Sequence, residues 1–383
     1  MATAPLRPAG ADELARALRD ASEAHRTVRV RGAGTKDYLG DLVPTDTTIE
    51  TTALTGIVAH VPADLTVTVR AGTSLADLRR ALGTAGQMLA LDPPHADATV
   101  GGIVAANGSG FWRARYGGVR DQLIGTTFAL TDGTVAHSGG RVVKNVAGYD
   151  LNKLLIGSLG TLAVVTECTF KVLPVPRSTA GTVARFRRPA DAFAAADAMT
   201  RTSARPAALV AHGTARDAWE LYVQADGAPE AVERTLTLAA EAAGTAASDR
   251  VEIAGALAPL RELPSQADGA IVRASLPPAA QSSFADVAMR LDGFTRLVAD
   301  AASGIVRVHV RGLDDDVVAG TDALLAAARV CGGSARVERR AAHLRARIGA
   351  WGDTDLPGRF LMRRLKEAFD PAGVLEPGRG PVR

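Results

Sequence analysis

The chain has 383 residues, 47% of them hydrophobic and 22% charged, which excludes a disordered protein and predicts two globular domains. A net charge of +3 and a pI near 9.1 would suit a nucleic-acid surface. However, only five of the 44 basic residues are lysine, and the arginines are interspersed with Asp and Glu, so nucleic acid is excluded as a partner.

Cys168 and Cys331 belong to no CxxC pair, and the seven histidines form no HxH or HxxH pair, so no disulfide framework or metal site is expected. The first residues, MATAPLRPAGADELARALRDA, carry charge from the start, and no stretch approaches the ~20 apolar residues of a transmembrane segment. A cytoplasmic location is expected.

In chain order, Leu14, Ala17, Leu18 and Ala21 recur at helical spacing in residues 11–24. TVRVRG reads as a strand, and IVAHV and TVTVRAG as two more. Thr73 or Ser74 caps a helix in SLADLRRALGTAG. TTFALTDGTVAHSG alternates across Asp132-Gly133, a hairpin signal. LNKLLIGS predicts a short helix and TLAVVTECTFKVLP a long strand ended by Pro174.

Beyond VLPVPRS the glycine-rich motifs stop. GTVARFR, ADAFAAADAMTR, AALVAHG, AWELYVQ, EAVERTLTLAAEAAG and RVEIAG follow in the order β-α-β-β-α-β. GAIVRASL, PAAQSSFADVAMRL, FTRLVAD, GIVRVHVRG, DDDVVAGTDALLAAARV and GSARVER repeat that order. Two such units side by side predict one large antiparallel sheet with helices on one face. A final helix lies in LPGRFLMRRLKEAFDPAG.

RGAGTK at 31–36 fits neither familiar phosphate loop. Asp37 stands where the third glycine of G-x-G-x-x-G would be, and the dipeptide GK is absent. It reads as a backbone nest for an anion or as a plain tight turn. Three more elements follow: TVGGIVAANGSG (99–110), RYGGVRDQLIG (115–125) and GSLGTLAVVTE (157–167). Four such elements in one half suit an extended diphosphate dinucleotide, because small residues let backbone approach it.

These motifs resemble the FAD-binding domain of the vanillyl-alcohol oxidase and p-cresol methylhydroxylase superfamily. Within it, GGRVVKNVAGYDLNKLLIGSLGTLAVVTECTFKVLP (139–174) and FDPAGVLEPGRG (369–380) are similar to the E-subunit family of bacterial glycolate oxidases. The resemblance implies an α+β protein. A two-part FAD-binding domain would occupy 1–176 and an antiparallel-sheet cap of two β-α-β-β-α-β units 177–345, with 346–383 returning to the FAD domain.

It also implies that Arg31, Gly32, Ala33, Gly34, Thr35 and Lys36 bind the pyrophosphate, and that Thr99, Gly101, Gly102, Asn107, Ser109 and Gly110 line the flavin and its diphosphate. Tyr116 and Gly117 would lie near the ring or ribityl chain. Val165 would offer backbone to the adenine side, or is plain strand core. Some relatives tether FAD through a histidine where Thr35 stands here, and His95 sits in a turn set by Pro93 and Pro94, so non-covalent FAD is expected. The family tail reads N-P-G, but here Glu376 precedes Pro377-Gly378, and Ala163 stands where glycine is usual.

Three functional readings remain. The first is the FAD subunit of a glycolate oxidase or dehydrogenase, oxidising glycolate or a similar 2-hydroxy acid and passing electrons to an external acceptor. The second is a flavin-bearing structural or electron-relay subunit. The third is a free-standing sugar-lactone or alcohol oxidase. The first two imply a catalytic flavin subunit and an iron–sulfur subunit as partners, which could hold the chain at the inner face of the membrane. Related 2-hydroxy acid oxidases carry a histidine-rich metal motif that is missing here. Arg307, His309 and Arg311 alternate on one strand face, either as a carboxylate clamp or as a solvated face. Lys144, with Asn145, Tyr149 and Asp150, forms the other candidate cluster.

Overall fold

The computed structural model describes residues 4–41, 43–142, 148–244, 246–266, 268–352 and 358–382. The chain divides into two compact units. The first comprises Met1–Ser109, Gly117–Val175 and Asp353–Arg383, and the second Gly110–Tyr116 and Pro176–Gly352.

In the first unit, five antiparallel strands lie in the order Ile57–Val61, Thr66–Arg70, Val164–Lys171, Leu123–Ala129 and Val135–Gly139. Asp132-Gly133 makes the predicted hairpin turn. Gly133 has φ 86, and the Asp132 carboxylate accepts the Thr134 N–H at 2.8 Å. Ser74 is the N-cap of the helix Leu75–Gly83, its hydroxyl accepting the Asp77 N–H at 3.0 Å. Leu75, Leu78 and Leu82 of that helix, with Ile103 and Val104 of the helix Val100–Ala106, pack on Val67, Val69, Cys168 and Phe170. The helix Ala11–Glu23 buries Leu14, Leu18 and Ala21 in a second core with Val28, Ile49, Ala129, Val164 and Leu375.

Strand Val28–Arg31 runs parallel to Thr47–Glu50, and Val28 also bridges Leu375 in parallel. The last residues thus extend the ladder that leads into the RGAGTK turn. That turn sits between sheet and tail.

The second unit holds one eight-stranded sheet. Its order is Ser248–Val251, Ser178–Phe186, Ala218–Gly227, Ala208–Ala215, Phe294–Asp300, Ile305–Val310, Ala270–Ser275 and Ser334–Arg340, antiparallel throughout. Each half shows the 4-1-3-2 strand order of a β-α-β-β-α-β unit, and the two second strands join at Val210 opposite Asp300. The helices Pro189–Thr200, Pro229–Ala243, Gln281–Ala288 and Asp314–Val330 cover one face, around Trp219, Phe284, Leu297, Val308 and Leu324.

One element differs from the sequence reading. RVEIAG reads as a strand throughout, but the strand stops at Val251 and a helix, Ile253–Arg261, begins. The Glu252 carboxylate accepts the N–H groups of Ala254 and Gly255 at 3.1 and 2.7 Å, a cap that overrides β propensity. Pro259 inside the helix hid it from the pattern. This helix packs with Phe111 on the opposite sheet face, against Ala208, Val210, Ile271 and Val298.

Candidate functional site

The first unit contains a cleft that three of the four glycine-rich elements build. Its walls are Val30–Asp37 and Thr51, then Thr99, Gly101, Gly102, Ala105 and Ala106, then Ser158–Gly160 and Ala163–Val165, with Arg379 from the tail. The glycines are where side chains cannot be. A Cβ on Gly32 would meet Thr99 Oγ1 at 2.2 Å, and one on Gly101 would meet the Ala71 Cβ at 2.8 Å. Gly34 has φ 75, so an L side chain there is strained as well as crowded by Arg31. Bare backbone therefore faces the cleft, as an extended diphosphate requires.

Arg31 pairs with Asp37 at 2.9 Å, and buried Lys36 donates to the Pro94 carbonyl at 3.2 Å. Thr99 is the N-cap of the Val100–Ala106 helix, accepting the Gly102 N–H at 3.3 Å.

Arg31, Gly32, Ala33, Gly34, Thr35, Lys36, Thr99, Gly101, Gly102 and Val165 line the cleft, whereas Asn107, Ser109, Gly110, Tyr116 and Gly117 do not. Asn107 ends its helix at φ 52, and the Ser109 carbonyl accepts the Asp92 N–H. Gly117, at φ 80, turns tightly against Asp121. Gly110 and Tyr116 belong to the second unit, where the Tyr116 hydroxyl donates to Asp226 at 2.9 Å. Ser158–Gly160 belong to the glycine-rich element read at 157–167, whereas Arg379 is a lining residue the sequence reading did not name as a site residue. The GSLG motif signals the first; no local signal marks Arg379.

Residues 2–139 match the family of FAD binding domains. The first unit carries an FAD binding domain. Glycolate oxidase subunit GlcE of Escherichia coli is 44% identical over 152 residues, 39% of this chain and 43% of that protein. A D-lactate dehydrogenase of Archaeoglobus fulgidus is 35% identical over 173 residues, 45% of this chain and 39% of that protein. The match thus spans about two fifths of these relatives' length. The structure of p-cresol methylhydroxylase with substrate bound aligns at a TM-score of 0.75 and 18% identity, over 100% of this chain and 90% of that one, so the fold is shared. The chain thus carries an FAD binding domain similar to those of a glycolate oxidase subunit and a D-lactate dehydrogenase.

The remaining candidates are not among the described residues that line the FAD domain's cleft. Lys144 and Asn145 fall outside the described residues. Arg307, His309 and Arg311 do share a face of the Ile305–Val310 strand and its extension, but each is engaged. Arg307 makes a two-point pair with buried Glu338, at 2.6 and 3.3 Å. Arg311 pairs with Asp268 at 3.0 Å, exposed to solvent. The buried ring of His309 meets the Thr295 hydroxyl at Nδ1 and the Asp268 carbonyl at Nε2, both at 2.9 Å. A carbonyl only accepts, so the proton sits on Nε2, and burial favours the neutral ring by lowering its pKa. As packed, His309 is a satisfied structural histidine.

The register brings forward a residue the sequence did not. Arg273 is directly opposite Arg307 on one side and Arg336 on the other. Glu338, bonded to Arg307, is the carboxylate beside this row. Burial alone would raise its pKa, but Arg307, with Arg273 and Arg336, holds it at about 2. Burial and then Arg307 bring Arg273 down to about 10, and its hydrogen bond is to the Ser275 hydroxyl at 3.2 Å. Like charges face to face are unfavourable, so this row is suited to receive an anion. Among the described residues no group of three or more His, Cys, Asp or Glu side chains could hold a metal.

Asp300, at the junction of the two half-sheets, has its carboxyl pushed up to about 6 by burial, against the Ser303 hydroxyl and the guanidiniums of Arg113 and Arg307. Its folded pKa is above the ordinary 3.8, so the stability its proton confers is complete below that value and is lost as pH rises through about 6. Asp300→Asn should therefore remove a decline of roughly 3 kcal/mol between about pH 4 and pH 7 from the unfolding free energy. Urea titrations of both proteins across that range check this. Parallel pH profiles would refute it.

Proposed function

We propose that the chain is the FAD-bearing subunit of a complex that oxidises glycolate or a similar 2-hydroxy acid to the 2-oxo acid and passes the electrons to an external acceptor. The observation that carries this reading is the glycine-walled cleft, in a chain whose similar proteins include a glycolate oxidase subunit and a D-lactate dehydrogenase. When bound, FAD supplies two-electron oxidation of the carbon that bears the hydroxyl. The chain's own part is to hold that group: the Gly32–Lys36 backbone would receive the diphosphate, and Ala105, Ala106 and Ala163–Val165 the flat apolar parts.

The bond to FAD is non-covalent in this reading. No His, Cys or Tyr side chain is among the described residues lining the cleft, which supports that reading. In the second unit, Arg273 is the group best fitted to take a carboxylate.

One observation favours a subunit that depends on partners. His309, the candidate base, has both ring nitrogens engaged, which leaves it no free site for a substrate proton. A catalytic flavin subunit and an iron–sulfur subunit, as the E-subunit resemblance implies, would complete the activity. No helix among the described residues is long and apolar enough to cross a membrane.

The test is glycolate-dependent dye reduction by the purified chain alone and after combination with those two subunits, together with acid precipitation. Flavin should pass into the acid supernatant, and turnover should appear only in the combination. Full turnover by the isolated chain, abolished in His309→Ala, would overturn the dependence on partners. Flavin retained by the pellet would overturn the non-covalent bond.

A further inference from the structure

The tail departs from the family pattern at Glu376, and the fold shows what the departure does. Glu376 has φ 44, in the left-handed region where Asn is tolerated far better than Glu. The strain is compensated by contacts that Asn is too short to make in the same way. Glu376 Oε1 accepts the Val30 N–H at 2.7 Å, and Oε2 faces Arg379 Nη1 at 3.3 Å. Arg379 Nη2 donates in turn to the Lys36 carbonyl at 2.8 Å. Glu376, Arg379 and Lys36 are all buried, at 3%, 6% and 9% exposure, so water does not compete for these bonds.

The chain of contacts starts at Val30, just before the RGAGTK turn, and ends at Lys36, its last residue. It therefore spans the loop from one end to the other. Arg379 also lines the cleft itself, which adds a cation from the tail to a wall that already holds Arg31 and Lys36. The tail strand is anchored independently, because Val28 donates to Val374 and Glu376 to Val28, each at 2.8 Å. Glu376 and Arg379 are thus presented by the tail ladder, whereas the loop has two backbone bonds of its own, Asp37 N–H to the Gly34 carbonyl at 3.1 Å and Leu39 N–H to the Lys36 carbonyl at 3.0 Å.

We propose that Glu376 and Arg379 are positioning residues for the cofactor, fixing both ends of the Arg31–Lys36 loop so that its N–H groups point together at the diphosphate of FAD. The inference rests on the reading that this loop receives the diphosphate. It makes cofactor affinity a property of the C-terminal segment as well as of the glycine motifs. It also predicts a pH response. The charged groups facing Glu376 are Arg379 from its own turn and Arg29 from the Val28–Arg31 strand. Glu367 and the mutually paired Lys366 and Asp370 line the cavity it shares with the last helix. Burial outweighs the two arginines and leaves the Glu376 carboxyl above the usual carboxylate range, so it protonates before an ordinary carboxylate as pH falls. Protonation removes the partner that holds Arg379 in place.

The test uses full-length protein stripped of flavin and retitrated with FAD, following flavin fluorescence. Glu376→Gln keeps an acceptor for the Val30 N–H but removes the charge, and Arg379→Met removes the link to Lys36. Each should weaken FAD binding about tenfold, and the double variant no more than the stronger single one, because the pair acts as one unit. Wild-type affinity should fall as pH drops through the raised Glu376 pKa, while Glu376→Gln should be flat. Unchanged affinity in both single variants, additive losses, or an identical pH profile in Glu376→Gln would each overturn the proposal. A Gly34→Asp control separates the two ideas. Loss of FAD in that control with none in the clamp variants refutes the clamp alone, whereas no loss in either refutes the loop as the diphosphate site.

Discussion

Gly34→Asp is expected to give a folded but colourless protein. Gly34 sits at φ 75, and its Cβ would lie 2.3 Å from Arg31 Nη2. An Asp side chain there would displace Arg31 from its 2.9 Å pair with Asp37 and put a carboxylate where the diphosphate is expected. The left-handed backbone costs an L residue roughly 1–2 kcal/mol. Like-charge repulsion in a partly enclosed cleft adds to it, and each 1.4 kcal/mol lost from binding is about tenfold in affinity. Flavin content as purified should drop at least about tenfold, read from the visible flavin absorbance per chain. A yellow variant with normal stoichiometry would show that the loop does not meet the diphosphate.

Lys366→Met should be the most destabilising single change in the tail. Lys366 is buried on the helix Arg359–Phe369, and its three protons are fully used: on Asp370 at 2.5 Å, the Leu375 carbonyl at 2.7 Å and the Thr161 carbonyl at 2.9 Å. The Asp370 side chain has no exposure, and it also accepts the N–H groups of Val374 and Leu375 at 3.1 and 2.8 Å. Removing the ammonium leaves a buried carboxylate facing bare carbonyls, a loss of about 3–5 kcal/mol. For a unit of this size the thermal midpoint should fall by roughly 10 °C. Adding Asp370→Asn should recover part of the loss, because the orphaned charge goes with it. Differential scanning calorimetry of the two variants decides it, and a shift within about 1–2 °C of wild type would show that the clasp contributes little.

The helix Ala11–Glu23, the hairpin at Asp132-Gly133 and the doubled β-α-β-β-α-β order were legible because each is written in a short window: apolar residues every third or fourth position, alternation of two, or one turn dipeptide. The glycine motifs were legible for a similar reason. A residue with no side chain marks a place where backbone must come close, whatever lies opposite. Three of those motifs meet in the FAD domain's cleft.

The fourth shows where local reading ends. Its first two residues, Arg115 and Tyr116, fall with Gly110–Ala114 in the second unit, with Trp112 donating to Gln224 at 3.2 Å and Tyr116 to Asp226, whereas Gly117 onward belongs to the first. Alternation correctly put Arg307, His309 and Arg311 on one face, but it did not say who faces them. That depended on strand register, including the irregularity between Ile271 and Val272 that pairs Val272 with Val337 and Ile271 with Arg339, with Glu338 between them. Arg379 reaches Lys36 across 343 residues, a closure no window contains.

The sequence by itself determined the elements, the doubled cap pattern and the glycine-rich loops, because burial periodicity and backbone freedom are properties of neighbouring residues. Tertiary structure alone decided which polar groups are spent and which remain to act. A buried hydrogen bond or ion pair depends on which distant strand or tail supplies its partner, and in this chain that settles Arg307 on Glu338 and the Lys36 carbonyl on Arg379.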